Sequence, residues 1–518
     1  MASLFFFYIL LFSAVYVFTK HLFHKIQNLP PSPFPLPVIG HLYLLERPLH
    51  RTLSKLAGRY GPILFLKLGS RPVLVVSSSS AAEECLAKND IIFANRPRLM
   101  VGKYLGYNFT SVAWAPYGDH WRNLRRISSL ELLSSHRLQM LSGIRLEEVK
   151  LLLRRLFEKQ GVVVDMRQAF FELTLNIMMR MIAGKRYYGD EVVEDLKEAM
   201  RFREIQEETV RLSGKSNLGD FLPFVRWIGG SKRLEKSLME LQRKRDGFLQ
   251  DLIEEHRRTA SRIANDCCSP SPSPSKSKER RKTMLEVLLS LQQMEPEYYK
   301  DEIIRGLMLV LLLGGTDTTI NTLQWSLSLL LNHPEILKKA QDEIDNRVGH
   351  GRLVDESDVA QLPYLKSIIN ETLRMYPPIP LLLPHESSEE STVGGFRIPR
   401  GTTLLVNIWA IQNDPTIWVD PTSFKPERYI EAEGMRNDKL RLMPFGSGRR
   451  GCPGEGLGMR VVGLVLGLII QCFNWERVSQ EKMVDMSEGN GLTLPKSQPL
   501  QAKCWPRSTM SKLVSQID

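Results

Sequence analysis

One cysteine constrains this chain more than any other residue. It sits in Phe445-Gly446-Ser447-Gly448-Arg449-Arg450-Gly451-Cys452-Pro453-Gly454-Glu455-Gly456, a glycine-dense loop that runs straight into the apolar segment Leu457 to Phe473. Glycines let backbone N–H groups approach the sulfur closely because they carry no Cβ. Pro453 suits the first turn of a helix, where a missing N–H costs nothing. A helix starting there aims its positive end at the sulfur and lowers the thiol pKa. Arg450 is a fixed cation of the kind that pairs with a carboxylate. A lone Cys is more commonly a buried free thiol beside a turn. Two arginines, five glycines and a proline around one Cys are hard to explain as packing. The loop instead suits a thiolate ligand of haem iron, with Phe445 and Gly454 framing Cys452 and Arg450 reaching a haem propionate.

A second segment has the character of an opposite face. Gly306 to Leu313 is apolar, the chain breaks at Gly314-Gly315, and Thr316 to Thr319 is polar. With Asp301-Glu302 before it and the run to Leu331 after it, the whole predicts one long helix. Gly314 and Gly315 would give it a flat surface for a planar cofactor or substrate. Asp317 and Thr318 would then be the only acid and hydroxyl near the iron. O–O cleavage needs protons, and a hydroxyl backed by a carboxylate is a suitable relay. The other reading is a buried helix whose Thr hydroxyls bond back to the preceding turn.

Glu371 and Arg374 form a Glu-x-x-Arg at the end of an apolar helix that stops at Tyr376-Pro377-Pro378. The spacing alone says little, because Glu208/Arg211, Glu240/Arg243 and Glu254/Arg257 share it as solvated helix pairs. The setting differs, and Pro426-Glu427-Arg428-Tyr429 supplies Arg428 as a further member of a buried ion network. Trp121 and Arg125 lie four apart, on one helical face, so an indole N–H and a guanidinium are expected to grip one anion.

On these residues the chain resembles a plant microsomal cytochrome P-450, a haem-thiolate monooxygenase, over essentially the whole length after its N-terminal segment. The family's cysteine loop is met by Phe445, Gly448, Arg450, Cys452 and Gly454, its oxygen-activating motif by Gly314 to Thr319, and its Glu-x-x-Arg by Glu371 and Arg374. A closer similarity is to the plant group with isoflavone hydroxylases, a lignan methylenedioxy-bridge (sesamin-type) synthase and xanthone-forming enzymes. It rests on Arg96-Pro97-Arg98, His120 to Arg126, Gly184-Lys185-Arg186-Tyr187-Tyr188-Gly189, Leu383-Pro384-His385 and Asp485-Met486-Ser487-Glu488-Gly489. Tyr429 and Gly314 depart from the commoner Phe and Ala, without touching the chemistry.

The resemblance implies a mainly α fold with a small β portion, haem lying between a long distal helix and the proximal Cys loop. It implies haem b (iron protoporphyrin IX) held axially by Cys452, with Trp121, Arg125, His385 and Arg450 on the propionates. Electrons would come from NADPH through cytochrome P-450 reductase, cytochrome b5 being a second candidate donor, with O2 and a small lipophilic phenolic as substrates. The expected reaction is hydroxylation of a flavonoid- or isoflavonoid-like compound. Oxidative ring or bridge formation (phenol coupling, xanthone or methylenedioxy formation) is the nearest rival. A haem-thiolate isomerase, and a haem carrier or sensor, are the remaining readings. Tyr104, Tyr107, Phe109, Leu311, Leu381, Leu382, Leu383 and Leu492 are the expected pocket walls, apolar and aromatic as such a substrate requires.

Composition agrees. With 518 residues, 43% of them hydrophobic, the chain can bury a large core. Six cysteines form no disulfide framework, which fits a reducing compartment. A net charge of +12 raises nucleic acid as a partner, but no base-reading motif accompanies the dispersed basic residues. A face for an acidic electron donor and anionic lipid explains it better. Ala2 to Thr19 is uncharged and apolar, about the minimum for a bilayer span, and Lys20 and Lys25 follow it. The reading is one transmembrane anchor (1–20), a basic, proline-rich spacer (21–40) and a catalytic domain (41–518) on the cytosolic face of the endoplasmic reticulum. Within that domain 266–282 is low-complexity and reads as a flexible linker. Ile63 to Ser77 predicts two strands turning at Arg71-Pro72. Helices are expected over 81–88, 138–158, 170–182 and 234–258.

Overall fold

The computed structural model describes residues 25–189, 196–214, 217–227, 229–266, 282–431 and 442–508, besides Tyr8, Val15 and Thr19. The expected anchor over 1–20, apart from those three positions, and linker residues 267–281 lie outside the described residues. The helices that position the site are α1 (Leu49–Tyr60), α2 (Asp119–Ile127), α3 (Ser142–Glu158), α4 (Met166–Ala183), α5 (Lys232–Asp266), α6 (Asp301–Asn332), α7 (Pro363–Met375) and α8 (Glu455–Cys472). The strands are β1 (Ile63–Leu68), β2 (Arg71–Val76), β3 (Val164–Asp165), β4 (His385–Glu386), β5 (Ser391–Val393), β6 (Phe396–Ile398), β7 (Thr403–Val406), β8 (Phe473–Arg477) and β9 (Gln501–Pro506). They make three small sheets, ordered β1-β2-β7-β4, β3-β9-β8 and β5-β6. Mainly α with a minor β portion is what the sequence predicts.

Helices α6 and α8 are apolar on nearly every side, the signature of a helix surrounded by protein. Both are long and apolar enough to cross a membrane, yet half of one such window and 72% of the other are buried inside the fold. They pack together with α3, α4 and α7 around one core that includes Leu153, Met178, Leu312, Leu323, Ile368 and Val465. The most extensive helix–helix contact joins α4 to α6. Helix α4 has clear ends. The Asp165 side chain accepts from the Gln168 N–H at its start, and Gly184 closes it in the left-handed conformation. Helix α7 opens on Pro363, where no N–H is missed, and stops before Pro377.

Two expectations about the N-terminal part need correction. The turn between β1 and β2 falls at Gly69-Ser70, while Arg71 and Pro72 are already in β2, opposite Leu68 and Lys67. Gly69, at φ +58, takes the left-handed turn position that Arg71 cannot take as cheaply. The proline-rich stretch is also no free spacer. Pro31 O accepts from Phe65 N at 3.0 Å, Gly40 bridges to Leu68, and Asn28 O accepts from Arg397 N at 2.9 Å. Prolines lose the donor but keep the acceptor, so this segment docks on the sheet through its carbonyls.

Candidate active site

The cysteine loop is closed by the Cys452 N–H, which donates to Phe445 O at 2.8 Å. Gly448 has φ +65, and a Cβ there would lie 2.0 Å from the Leu86 carbonyl oxygen, so only glycine fits. The Gly454 N–H points at Cys452 Sγ at 3.3 Å. Helix α8 begins at Glu455, with Gly454 as its N-cap, so Pro453 precedes the helix instead of opening it. Its ring holds the preceding residue out of helical geometry, which keeps the cysteine clear of α8. Cys452 keeps some exposed surface although protein surrounds most of it. Burial pushes the thiol up, against the Gly454 amide and Arg125, which pull it down. The expectation of a lowered thiol pKa is therefore wrong for the free cysteine. A metal ligated by this sulfur would itself remove the proton.

Around the sulfur the structure gathers cations. Arg450 donates to the carbonyls of Ala94 (2.7 Å), Val112 (3.3 Å) and Ala115 (2.6 Å). Arg125 donates to Gly451 O, and the Trp121 indole donates to Val112 O at 3.1 Å. The two donors expected to grip one anion thus serve different carbonyls. Arg96, which sequence reasoning left out of the site, is buried at 7% exposure and holds Leu383 O and Pro384 O, both at 2.8 Å. That contact orients His385, whose Nδ1 lies 2.8 Å from Phe93 O. Burial, with Arg96 and Arg450 nearby, pushes the His385 pKa far down, so its ring is neutral.

None of Arg96, Arg125 and Arg450 has an ion pair among the described residues, although burial strains all three. It pushes Arg96 down to about 9, and, with Arg96 and Arg125 close by, Arg450 to about 8. Three guanidiniums without a carboxylate are a strained arrangement that an anionic ligand relieves. A haem fits: its propionates would supply the missing charge and Cys452 would hold its iron through the sulfur. Arg96-Pro97-Arg98 is visible in the sequence, but the burial of Arg96 is a tertiary fact.

Helix α6 has one open face. A Cβ on Gly314 would meet nothing within 4 Å, and the residue is exposed, so that face is open. Gly315 has another task, because a Cβ there would lie 2.6 Å from Met178 Sδ of α4. The flat two-glycine surface expected from sequence is therefore split between cleft and packing, as a turn of about 100° per residue requires. Thr318 Oγ1 donates to Gly314 O at 2.6 Å, four residues back. Asp317 receives Asn321 Nδ2 at 3.4 Å, and burial raises its pKa, with Thr493 opposing.

The ion network is observed member by member. Arg374 makes a two-point contact with Glu371 at 2.8 and 2.9 Å, both side chains fully buried. Arg428 Nε adds 3.0 Å to Glu371 Oε1, and Arg374 also donates to Gln412 O and Pro421 O at 2.8 Å. Every charge is answered, the condition for burying ions without heavy loss.

The expected pocket walls are scattered in role. Tyr107 is buried beside Gly306 of α6, Leu311 is buried on the same helix, and Leu382 approaches Gly446 of the cysteine loop. Leu381 and Leu383 are half-buried on either side of it. Phe109 packs against Gly102 with the Arg98 guanidinium 5.6 Å from its ring centre. Tyr104 is spent elsewhere, its hydroxyl donating to Glu235 of α5. Leu492 is exposed.

Comparison with known proteins agrees with this geometry. Residues 30–502 match the family model described as Cytochrome P450. The chain is 46% identical to an isoflavone 2'-hydroxylase of Glycyrrhiza echinata, covering 95% of each chain. It is 48% identical to a (+)-piperitol/(+)-sesamin synthase of Sesamum radiatum, covering 95% of this chain and 93% of the relative. A zebra fish cytochrome P450 structure with progesterone superimposes with a TM-score of 0.74 at 27% identity, over 89% of this chain and all of that one. The chain belongs to the cytochrome P450 family: it is a haem-thiolate monooxygenase with haem b as cofactor, O2 and a lipophilic molecule as substrates and a redox partner as electron source.

Proposed function

We propose that this monooxygenase hydroxylates an aromatic plant specialised metabolite, a flavonoid- or isoflavonoid-like phenolic, with electrons from NADPH through cytochrome P-450 reductase. The observation that carries the reading is the unspent cation group Arg96, Arg125 and Arg450 beside the cleft-facing sulfur of Cys452. Arg96, Arg125 and Arg450 would seat the propionates, with the Trp121 ring against Arg450 and neutral His385 beside Arg96, and Cys452 would hold the iron. The bound haem supplies the oxygen activation, which a thiolate ligand favours. The chain's own part is positional. Phe445 and Gly454 fix the sulfur. The open face at Gly314 leaves room above it.

Thr318 rests its hydroxyl proton on the Gly314 carbonyl and would turn from it to hand a proton on. Asp317, its carboxyl raised by burial, is the replenishing acid. Leu311, Leu381, Leu382 and Leu383 exclude water and select an apolar, flat substrate. Arg126, exposed and next in sequence to Arg125 at the cysteine loop, favours an acidic electron donor, the reductase or cytochrome b5. The protein would sit on the endoplasmic reticulum through residues 1–20, catalytic domain in the cytosol.

Ring or bridge formation on a similar phenolic is the second reading, favoured by the similarity to a sesamin-forming relative. Microsomes supplied with reductase and NADPH, and a phenolic panel read by mass spectrometry, test both. Gain of one oxygen is expected; loss of two hydrogens would select the second reading, and no NADPH-dependent product would contradict both.

A further inference from the structure

Helices α3 and α4 and the loop between them enclose a half-open pocket of about 260 Å³, apart from the cysteine cleft. Apolar and polar residues share its walls, with Leu152, Leu156, Ala169, Leu173 and exposed Val163 making the apolar part. Of its three acids, Asp165 is exposed and accepts from the Gln168 N–H at 3.1 Å as the cap of α4, and the other two are paired. Glu172 accepts from Arg155 at 2.7 Å and Gln168 at 2.6 Å, and Glu148 accepts from Asn176, Arg180 and Arg186 at 2.6 to 3.0 Å. Lys159, also in the lining, has no ion pair among the described residues. A hollow with apolar patches, two paired acids and an unpaired lysine at its rim suits a small aromatic ring carrying a single carboxylate.

The same helix reaches the oxygen side of the cleft. Ala169 and Leu173 of α4 face the pocket, while Met178, about half a turn round in angle, meets α6 at Gly315 without slack. Gly315 is two residues from Asp317. Close-packed interiors pass on small displacements, so a molecule wedged against α4 would be felt on α6.

We propose that this pocket is an effector site for a small aromatic carboxylate, and that its occupancy alters ligand binding in the haem cleft. The test uses the full haem-loaded chain in detergent, with 2-naphthoate as the probe and 4-phenylimidazole filling the cleft. Naphthoate fluorescence should report one site that persists under saturating phenylimidazole. Ala169→Phe, which fills the hollow, and Lys159→Glu, at its exposed rim, should each weaken that site about tenfold. Saturating naphthoate should shift the phenylimidazole Kd about twofold, with an equal reciprocal shift. Displacement of naphthoate by phenylimidazole, or an unchanged naphthoate Kd in Lys159→Glu, overturns the site. An identical phenylimidazole Kd with and without naphthoate overturns the coupling. An unshifted haem spectrum with phenylimidazole would instead contradict the haem assignment itself.

Discussion

The Arg450 guanidinium carbon lies 4.3 Å from the centre of the Trp121 ring. That contact locks the cysteine loop to α2 and holds a buried cation against a π face while three carbonyls take its N–H groups. The arrangement holds Arg450 in place without an acid. Arg450→Ala should therefore lower haem content in the purified protein several-fold while leaving expression intact. Lys should not restore it, since one ammonium cannot reproduce a planar fork. Absorbance at the Soret band per mole of protein checks this.

The two central glycines of α6 make opposite predictions. Gly315→Ala forces a Cβ to 2.6 Å from Met178 Sδ and should destabilise the protein by about 1–3 kcal/mol. Gly314→Ala meets nothing and should be neutral or stabilising by about 0.5–1 kcal/mol through helix propensity. Urea unfolding of both variants separates them.

Breaking the buried pair is costly because it strands a charge. Glu371→Ala leaves Arg374 and Arg428 without their shared carboxylate and should cost about 3–5 kcal/mol. Thermal unfolding and soluble yield report the loss.

Acid should weaken the link between α1 and the loop at 485–489. Burial opposes ionisation of Glu488, but Arg51 and His50, at 2.6 to 3.1 Å, hold it down at about 2. A depressed carboxylate adds stability that is present above its unfolded pKa of about 4.3 and lost as pH falls toward the folded value. The urea midpoint should fall between those limits in the wild type, and less in Glu488→Gln.

Thr318→Ala should retain haem yet divert electrons to hydrogen peroxide, measured as peroxide formed per NADPH consumed. Normal coupling would remove the hydroxyl from proton delivery.

Much of this was legible in the residues, for identifiable reasons. A long apolar helix broken by Gly-Gly, a Glu-x-x-Arg ending at prolines and one cysteine among glycines are local patterns with few other uses. What stayed hidden depends on three-dimensional neighbours. Nothing in Arg96 announces that it is buried with no acid, and nothing in Gly315 tells it from Gly314 until α4 is in place. Pro453 misled because proline suits both the first helical turn and the residue just outside it. The Pro30–Pro37 stretch misled because extended proline runs look alike whether free or docked.

The most direct test of the central claim is the carbon monoxide difference spectrum of the reduced protein, compared between wild type and Cys452→Ser. A thiolate-ligated haem gives the long-wavelength band, and the variant should lose it entirely. An unchanged band in Cys452→Ser would show that the iron is held elsewhere.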